Sequence, residues 1–194
     1  MRNVTIFNHR ETPMNNVALH KEVWPELYDP DFPDKYTIEK LDASTPSPLP
    51  FRFNDGGRSK AGFSGSARDC VARSTAIASG LSYIEVYSAL AQGNATQRAS
   101  KRTPRRTRTA SQGIFTQRKW FKDYMTSLGF VWVPTQRIGS VNKARLCKGA
   151  LPNGKLVVSV PRHYTAVING VINDTFDCSR NGKRCVYGYW VKRT

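Results

Sequence analysis

Three residues able to share nucleophilic chemistry, Cys70, His163 and Asp174, occur in an order and setting that could bring them together. Cys70 follows Asp69 and opens an apolar run of helical period, Val71 to Ser79. A thiol in the first turn of a helix has its anion favoured by the helix dipole, and such a thiol needs a base. His163 is the only histidine in the second half of the chain. It opens the first strand of a β-rich pair, Tyr164–Ile168 and Val171–Asp174, joined by Asn169-Gly170. Asn-Gly between two such runs is a strong signal for a type I′ hairpin. Positions symmetric about that turn pair, so Ile168 faces Val171 and Thr165 faces Asp174. Asp174 then sits diagonally two positions from His163, roughly 7–8 Å between backbones, within reach of a carboxylate that orients an imidazole. Of the other acids in residues 61–194, Asp69 and Glu85 read as helix caps and Asp123 as a helix surface residue. Asp177 remains, and it replaces Asp174 if the hairpin register slips. The plainer alternative is a buried structural cysteine and a strand histidine whose hydrogen bonds are met.

The elements that must position these residues follow from cap and period signals. Asp69 is a good N-cap for the helix of Cys70, and Gly80 is a good stop. Ser82 and Glu85 form an S-x-x-E capping box for a second helix with Ile84, Val86, Tyr87, Leu90 and Ala91 on its apolar face. A third helix is expected from Thr116 to Leu128, with Trp120, Phe121, Tyr124 and Leu128 inward and Gly129 as its stop. Beyond it the period becomes that of strands, at Phe130–Val133, Lys155–Val160, Tyr164–Ile168, Val171–Asp174 and Val186–Val191. Helices first and antiparallel strands afterwards predict an α+β domain over residues 51–194. Residues 1–50 hold short apolar runs between acidic and proline-rich pieces, and read as an arm with a strand or two ending in a semi-rigid linker.

Charge divides the chain unevenly. The 194 residues carry 30 Lys+Arg and 14 Asp+Glu, a formal charge of +16. Residues 1–60 hold eight basic and nine acidic side chains, whereas residues 61–194 hold 22 and five, net +17. Such a field attracts polyanions and acidic protein surfaces without saying anything about fold. Its densest part is a loop at 94–113 with Arg98, Lys101, Arg102, Arg105, Arg106 and Arg108. That loop reads as a solvated face, as a phosphate-contacting nucleic-acid surface without base readout, or as a seat for an acidic protein. Four cysteines are too few and scattered for a disulfide framework. No run approaches the ~18 apolar residues of a membrane span, and Met1 to Lys21 lacks the apolar block of a signal peptide. A cytoplasmic protein with reduced thiols and no membrane partner is therefore expected. Cys178 and Cys185 with His163 lack a CxxC pair, so no metal or cofactor is expected either.

Several segments carry a resemblance. Phe53-Asn-Asp-Gly-Gly-Arg58, Asp69-Cys-Val-Ala-Arg73, Ser82-Tyr-Ile-Glu-Val-Tyr87, Ser127-Leu-Gly-Phe130, Trp132-Val-Pro-Thr135 and the stretch from His163 to Asp177 resemble a group of small, mostly uncharacterised proteins of phages and bacteria. Their helix-borne cysteine followed by a histidine–aspartate hairpin is the order of papain-like cysteine peptidases. The similarity covers about Phe51 to Trp190. It implies a papain-like fold, with Cys70 as nucleophile, His163 as base and Asp174 as orienting acid, in a thiol hydrolase or acyl transferase acting on a peptide or isopeptide bond. A phage relationship would place the protein in the host cytoplasm or in the virion. The other reading is a non-catalytic basic protein that uses this fold to bind nucleic acid or an acidic host protein. Papain-like enzymes place a glutamine shortly before the cysteine as oxyanion donor, and Ser64 to Asp69 contain none, so Ser64, Ser66 or the Cys70 amide would serve. An Asp69 charge not engaged in capping would also oppose a thiolate at Cys70.

Overall fold

The computed structural model describes residues 46–98, 109–136 and 144–193. Of the arm expected over residues 1–50, residues 1–45 lie outside the described residues, as do Lys101, Arg102, Arg105, Arg106 and Arg108. The fold is α+β, with three helices and one six-stranded sheet among the described residues.

Helix α1 (Cys70–Ser79) is buried along most of its length because small side chains, Ala72, Ser74, Ala76 and Ala78, let neighbours approach from every side. Gly80 ends it in the left-handed conformation at φ 83°, its N–H bonded to the Ala76 carbonyl. Helix α2 (Tyr83–Thr96) starts with the expected capping box: the Ser82 hydroxyl accepts from the Glu85 N–H while the Glu85 carboxylate accepts from the Ser82 N–H. The helix continues to Thr96, so the first residues of the loop expected at 94–113 are helical. Buried Asn94 then donates from Nδ2 to the carbonyls of Thr109 (2.9 Å) and Gly113 (3.1 Å), which ties the far side of that excursion to α2. Helix α3 (Lys119–Ser127) begins three residues later than expected. Thr116 is engaged elsewhere, accepting from the Tyr164 hydroxyl at 3.0 Å, and Arg118 supplies an extended N-cap at φ −72° and ψ 142°.

The strands are β1 (Phe51–Phe53), β2 (Phe130–Pro134), β3 (Lys155–Val160), β4 (His163–Ile168), β5 (Val171–Asp174) and β6 (Gly188–Lys192), in the order β1-β5-β4-β3-β6-β2. Pairing is antiparallel except at one edge, where β1 runs parallel to β5 from Phe51 opposite Ile172 to Phe53 opposite Asp174. The antiparallel sheet expected from the sequence is therefore mixed. The final strand starts at Gly188 rather than Val186 because the Val186 N–H and carbonyl are bonded to Ala144 and Thr135.

One apolar core joins the helices to a face of the sheet, built from Val71, Ala76, Val86, Leu90, Phe121 and Met125 with Phe130, Val157 and Trp190. Helix α1 lies chiefly against β4, the strand that opens with His163. Leu156, Val158 and Val160 have the opposite parity on β3 and are buried too. No described helix covers them; the irregular segments 46–50 and 144–150, joined by a bridge between Pro48 and Cys147, contribute the buried Leu49, Leu146 and Cys147.

Candidate active site

The β4–β5 hairpin has the register deduced from its turn, with Ile168 opposite Val171, Val167 opposite Ile172 and Ala166 opposite Asn173. Asn169 and Gly170 both have positive φ, 47° and 77°, as a type I′ turn requires. Continuing that register sets Asp174 beside Thr165 and diagonal to His163. The imidazole Nε2 lies 2.7 Å from Asp174 Oδ2. The second carboxylate oxygen accepts from the Thr175 N–H at 2.7 Å and lies 3.4 Å from Arg73 Nη1. The Cys70 thiol is close enough to the same imidazole to help raise its pKa. With Nε2 committed to Asp174, the nitrogen left for the thiol is Nδ1, the reverse of the serine-protease arrangement, in which the orienting acid takes Nδ1. The Phe176 ring packs on the imidazole at 5.0 Å between centroids and is itself half exposed, so it forms an aromatic wall beside the histidine.

The electrostatics follow from these contacts. Burial alone would lower the His163 pKa, but hydrogen bonds and charge from Asp174 and Cys70 outweigh it and raise it to about 9. Burial works the other way on Asp174, and its hydrogen bond to His163, the imidazolium charge and the Thr175 N–H together hold it below the usual carboxylate range. A protonated imidazole and an ionised carboxylate are thus the favoured pair at neutral pH.

Asp69 does not cap α1. Its side chain makes no bond to the helix N-terminus and is instead a buried acceptor for three donors. Oδ2 receives Arg58 Nε at 2.8 Å and the Tyr83 hydroxyl at 2.6 Å, while Oδ1 receives Arg73 Nε at 3.0 Å. Two guanidinium groups therefore answer the Asp69 charge next to Cys70. Burial, then the bond to Asp69, pushes the Tyr83 phenol pKa up. Arg73 is the link: one face of its guanidinium holds Asp69 and the other reaches Asp174 and Thr175, so a residue one turn along from Cys70 braces the acid behind His163. Arg58 is delivered by the loop after β1. Asn54 donates its N–H to the Asp174 carbonyl at 2.8 Å, and Gly56, at φ 68°, lies so close to α1 that a Cβ would sit 2.9 Å from the Arg73 carbonyl oxygen. The Phe53–Arg58 segment thus fastens the end of β5 to the start of α1. Sequence reasoning left Arg58, Arg73 and Tyr83 without a role. The signal available was a charge inside an otherwise apolar helix, which must have a partner, and Asp69 four residues before it.

No known family, curated protein or solved structure matches this chain. The remaining residues singled out by the sequence are placed by geometry alone. Asp177 is exposed and turns back on its own backbone, accepting from the Ser179 N–H at 2.8 Å, so the histidine partner is Asp174. Asp123 is on the α3 surface, paired with Lys119 at 2.8 Å. The Ser64 carbonyl is held by Arg58 Nη2, whereas Ser66 lines a cavity of about 380 Å³ with Arg68, Ser111 and Gln112 just ahead of α1. Arg98 is exposed just beyond α2, its carbonyl accepting from Arg118. Cys178 comes near the histidine: one donor atom each of His163, Asp174 and Cys178 lie within 4.8 Å of one another. The His163–Asp174 hydrogen bond joins two members of that set, and burial pushes the Cys178 thiol up to about 11, so a divalent cation would have to displace that bond and a firmly held proton.

Proposed function

We propose that this protein is a papain-like thiol hydrolase or acyl transferase acting on a peptide or isopeptide bond. The observation that carries the reading is the single imidazole bonded to Asp174 through Nε2, with the Cys70 thiol near enough to raise its pKa. In this scheme Cys70 gives its thiol proton to the imidazole, and the sulfur attacks the substrate carbonyl carbon, forming a C–S bond and pushing the carbonyl electrons onto oxygen. The oxyanion is met by the Cys70 amide at the N-terminus of α1, with the Ser66 hydroxyl as second donor. As the tetrahedral centre collapses, the C–N bond breaks and the protonated imidazole gives its proton to the departing amine. Water or an acceptor amine then attacks the thioester, losing its proton to the imidazole; the C–S bond breaks, and the departing sulfur takes that proton back to restore the thiol. Asp174 keeps the ring in the tautomer and orientation that leave Nδ1 facing sulfur, and Arg73 keeps Asp174 in place.

Thiol reactivity tests the proposal. Iodoacetamide below neutral pH should modify Cys70 well before Cys147, Cys178 and Cys185, and His163→Ala should abolish that preference. Equal modification of Cys70 in the two proteins would reject the thiol mechanism.

A further inference from the structure

A cavity of about 490 Å³ opens beside His163, and its walls are cationic. Arg162, Arg180, Lys183 and Arg184 line it together with His163 and Phe176, and no carboxylate lines it among the described residues. The nearest acid in sequence, Asp177, is occupied with the Ser179 N–H. Arg162, Arg180 and Lys183 are exposed, and none of them is in an ion pair among the described residues. Arg184 is half buried and anchored by a hydrogen bond from Nη2 to the Pro161 carbonyl, and its Nε has no partner among the described residues.

The backbone adds a second observation. Arg162 follows Pro161 in the two-residue turn between β3 and β4, at φ 60°, and Arg180 starts a left-handed run, at φ 53°, that continues through Asn181 and Gly182. Turns of this kind favour glycine or asparagine at such positions, because a longer side chain is disfavoured there. Both arginines occupy them, and both line the same cavity within reach of one imidazole. Like charges gathered in a concave site without counter-charge raise the local concentration of an anion and strengthen each contact it makes.

We infer that this cavity is a substrate subsite that selects carboxylate side chains, so that the peptide recognised carries Asp or Glu next to the bond presented to Cys70. Placement of that side chain next to the bond rests on the thiol-enzyme reading. The cavity's preference for an acidic peptide stands without it. Phe176 supplies the apolar wall for the methylenes of such a side chain, and the cations supply the anchor. A cavity of this size lies in the range that encloses a small ligand or a few peptide atoms rather than a duplex.

The test uses the full chain with Cys70→Ala, so that binding is read without turnover, and a short labelled peptide of alternating Glu and Ala against its Gln-for-Glu counterpart. At physiological salt the Glu peptide should bind at least about tenfold more tightly than the Gln peptide. Substituting Arg162, Arg180 and Lys183 together by Gln should remove that difference. A control with Lys60, Lys122 and Lys155 changed to Gln, equal in charge but remote from the cavity lining, should retain it. Equal losses in the two triple variants would overturn the subsite, leaving only the overall positive field. A short DNA duplex that displaces the peptide and depends on the same three residues would overturn it in favour of a phosphate site. The two readings separate cleanly. Thiol reactivity at Cys70 without a Glu preference ends the subsite alone, and a Glu preference without thiol reactivity ends the enzyme alone.

Discussion

His163 titrates as part of a unit, and that gives the protein a pH signature. Its folded pKa of about 9 lies above its ordinary value of 6.5, so the stabilisation it contributes is complete below pH 6.5 and is lost as pH rises through 9. Asp174 is lowered from 3.8, so its contribution is complete above pH 3.8 and is lost as pH falls through its folded value. Between those limits both are present. Urea midpoints measured against pH should therefore decline between pH 6.5 and 9 in the wild type and not in His163→Gln. By NMR, Asp174→Asn should move the His163 titration down from about 9, because only Cys70 then opposes burial; Asp177→Asn should leave it in place. Arg73 answers two buried carboxylates at once, so Arg73→Met should cost about 3 kcal/mol in urea unfolding, the scale for stranding a buried charge. Arg73→Lys should recover only part, since an ammonium cannot span both acids. A loss below about 0.5 kcal/mol, the scale of an exposed pair, would show that the bridge carries no load. The His163–Asp174 pairing was legible in the sequence because hairpin pairing is local arithmetic around Asn169-Gly170. The Asp69 cluster was not, because an acid before a helix reads as a cap, and Arg58 and Tyr83 reach it from other elements.

Among the elements, the clearest conflict between local preference and packing is Gly93 inside α2. Alanine there would favour the helix by about 1 kcal/mol. The Trp120 indole of α3 occupies the space instead: a Cβ on Gly93 would lie 2.3 Å from the ring. Overpacking of that kind costs about 1–3 kcal/mol, so packing outweighs propensity and Gly93→Ala should lower the thermal midpoint. Gly93→Ala with Trp120→Leu should destabilise by less than the two single changes summed, since the clash is then relieved. A midpoint raised by Gly93→Ala alone would mean that the two helices are not in contact here. The same competition explains what could be read of the elements beforehand. The capping box at Ser82 and Glu85 and the stop at Gly80 are short-range chemistry and occur as written. Strand β1 escaped because Phe51-Arg52-Phe53 is too short for its alternation to count as a strand, and its parallel pairing with β5 depends on a segment more than a hundred residues away. The start of α3 slipped because Thr116 is claimed by Tyr164, a contact no helical period reveals.

For the whole molecule the governing quantity is charge, since residues 61–194 carry 22 basic side chains against five acidic ones. Three of those acids, Asp69, Asp174 and Asp123, are already paired with cations within the chain, so the field outside is more one-sided than the count suggests. Two regions compete for any anion: the cavity by His163, and the arginine-rich excursion after α2 that contains Arg102, Arg105, Arg106 and Arg108. They differ in the form of binding each supports. A concave site with a handful of fixed cations discriminates between peptides, whereas an arginine run without interleaved aromatics contacts phosphates and does not read bases. Binding of duplex DNA or of RNA at about 50 mM salt should therefore be insensitive to base sequence, and its logarithm should fall linearly with the logarithm of salt concentration. Replacing Arg102, Arg105, Arg106 and Arg108 by alanine should flatten that slope by about one unit per phosphate contact removed while the Glu-peptide preference of the cavity stays intact. No detectable binding at that salt would leave the excursion as a solvated face or a seat for an acidic protein. An unchanged slope in the four-arginine variant would move the footprint to the strand region, where Arg145, Lys148 and Lys155 present exposed cations and Arg137 and Lys143 add two more by sequence.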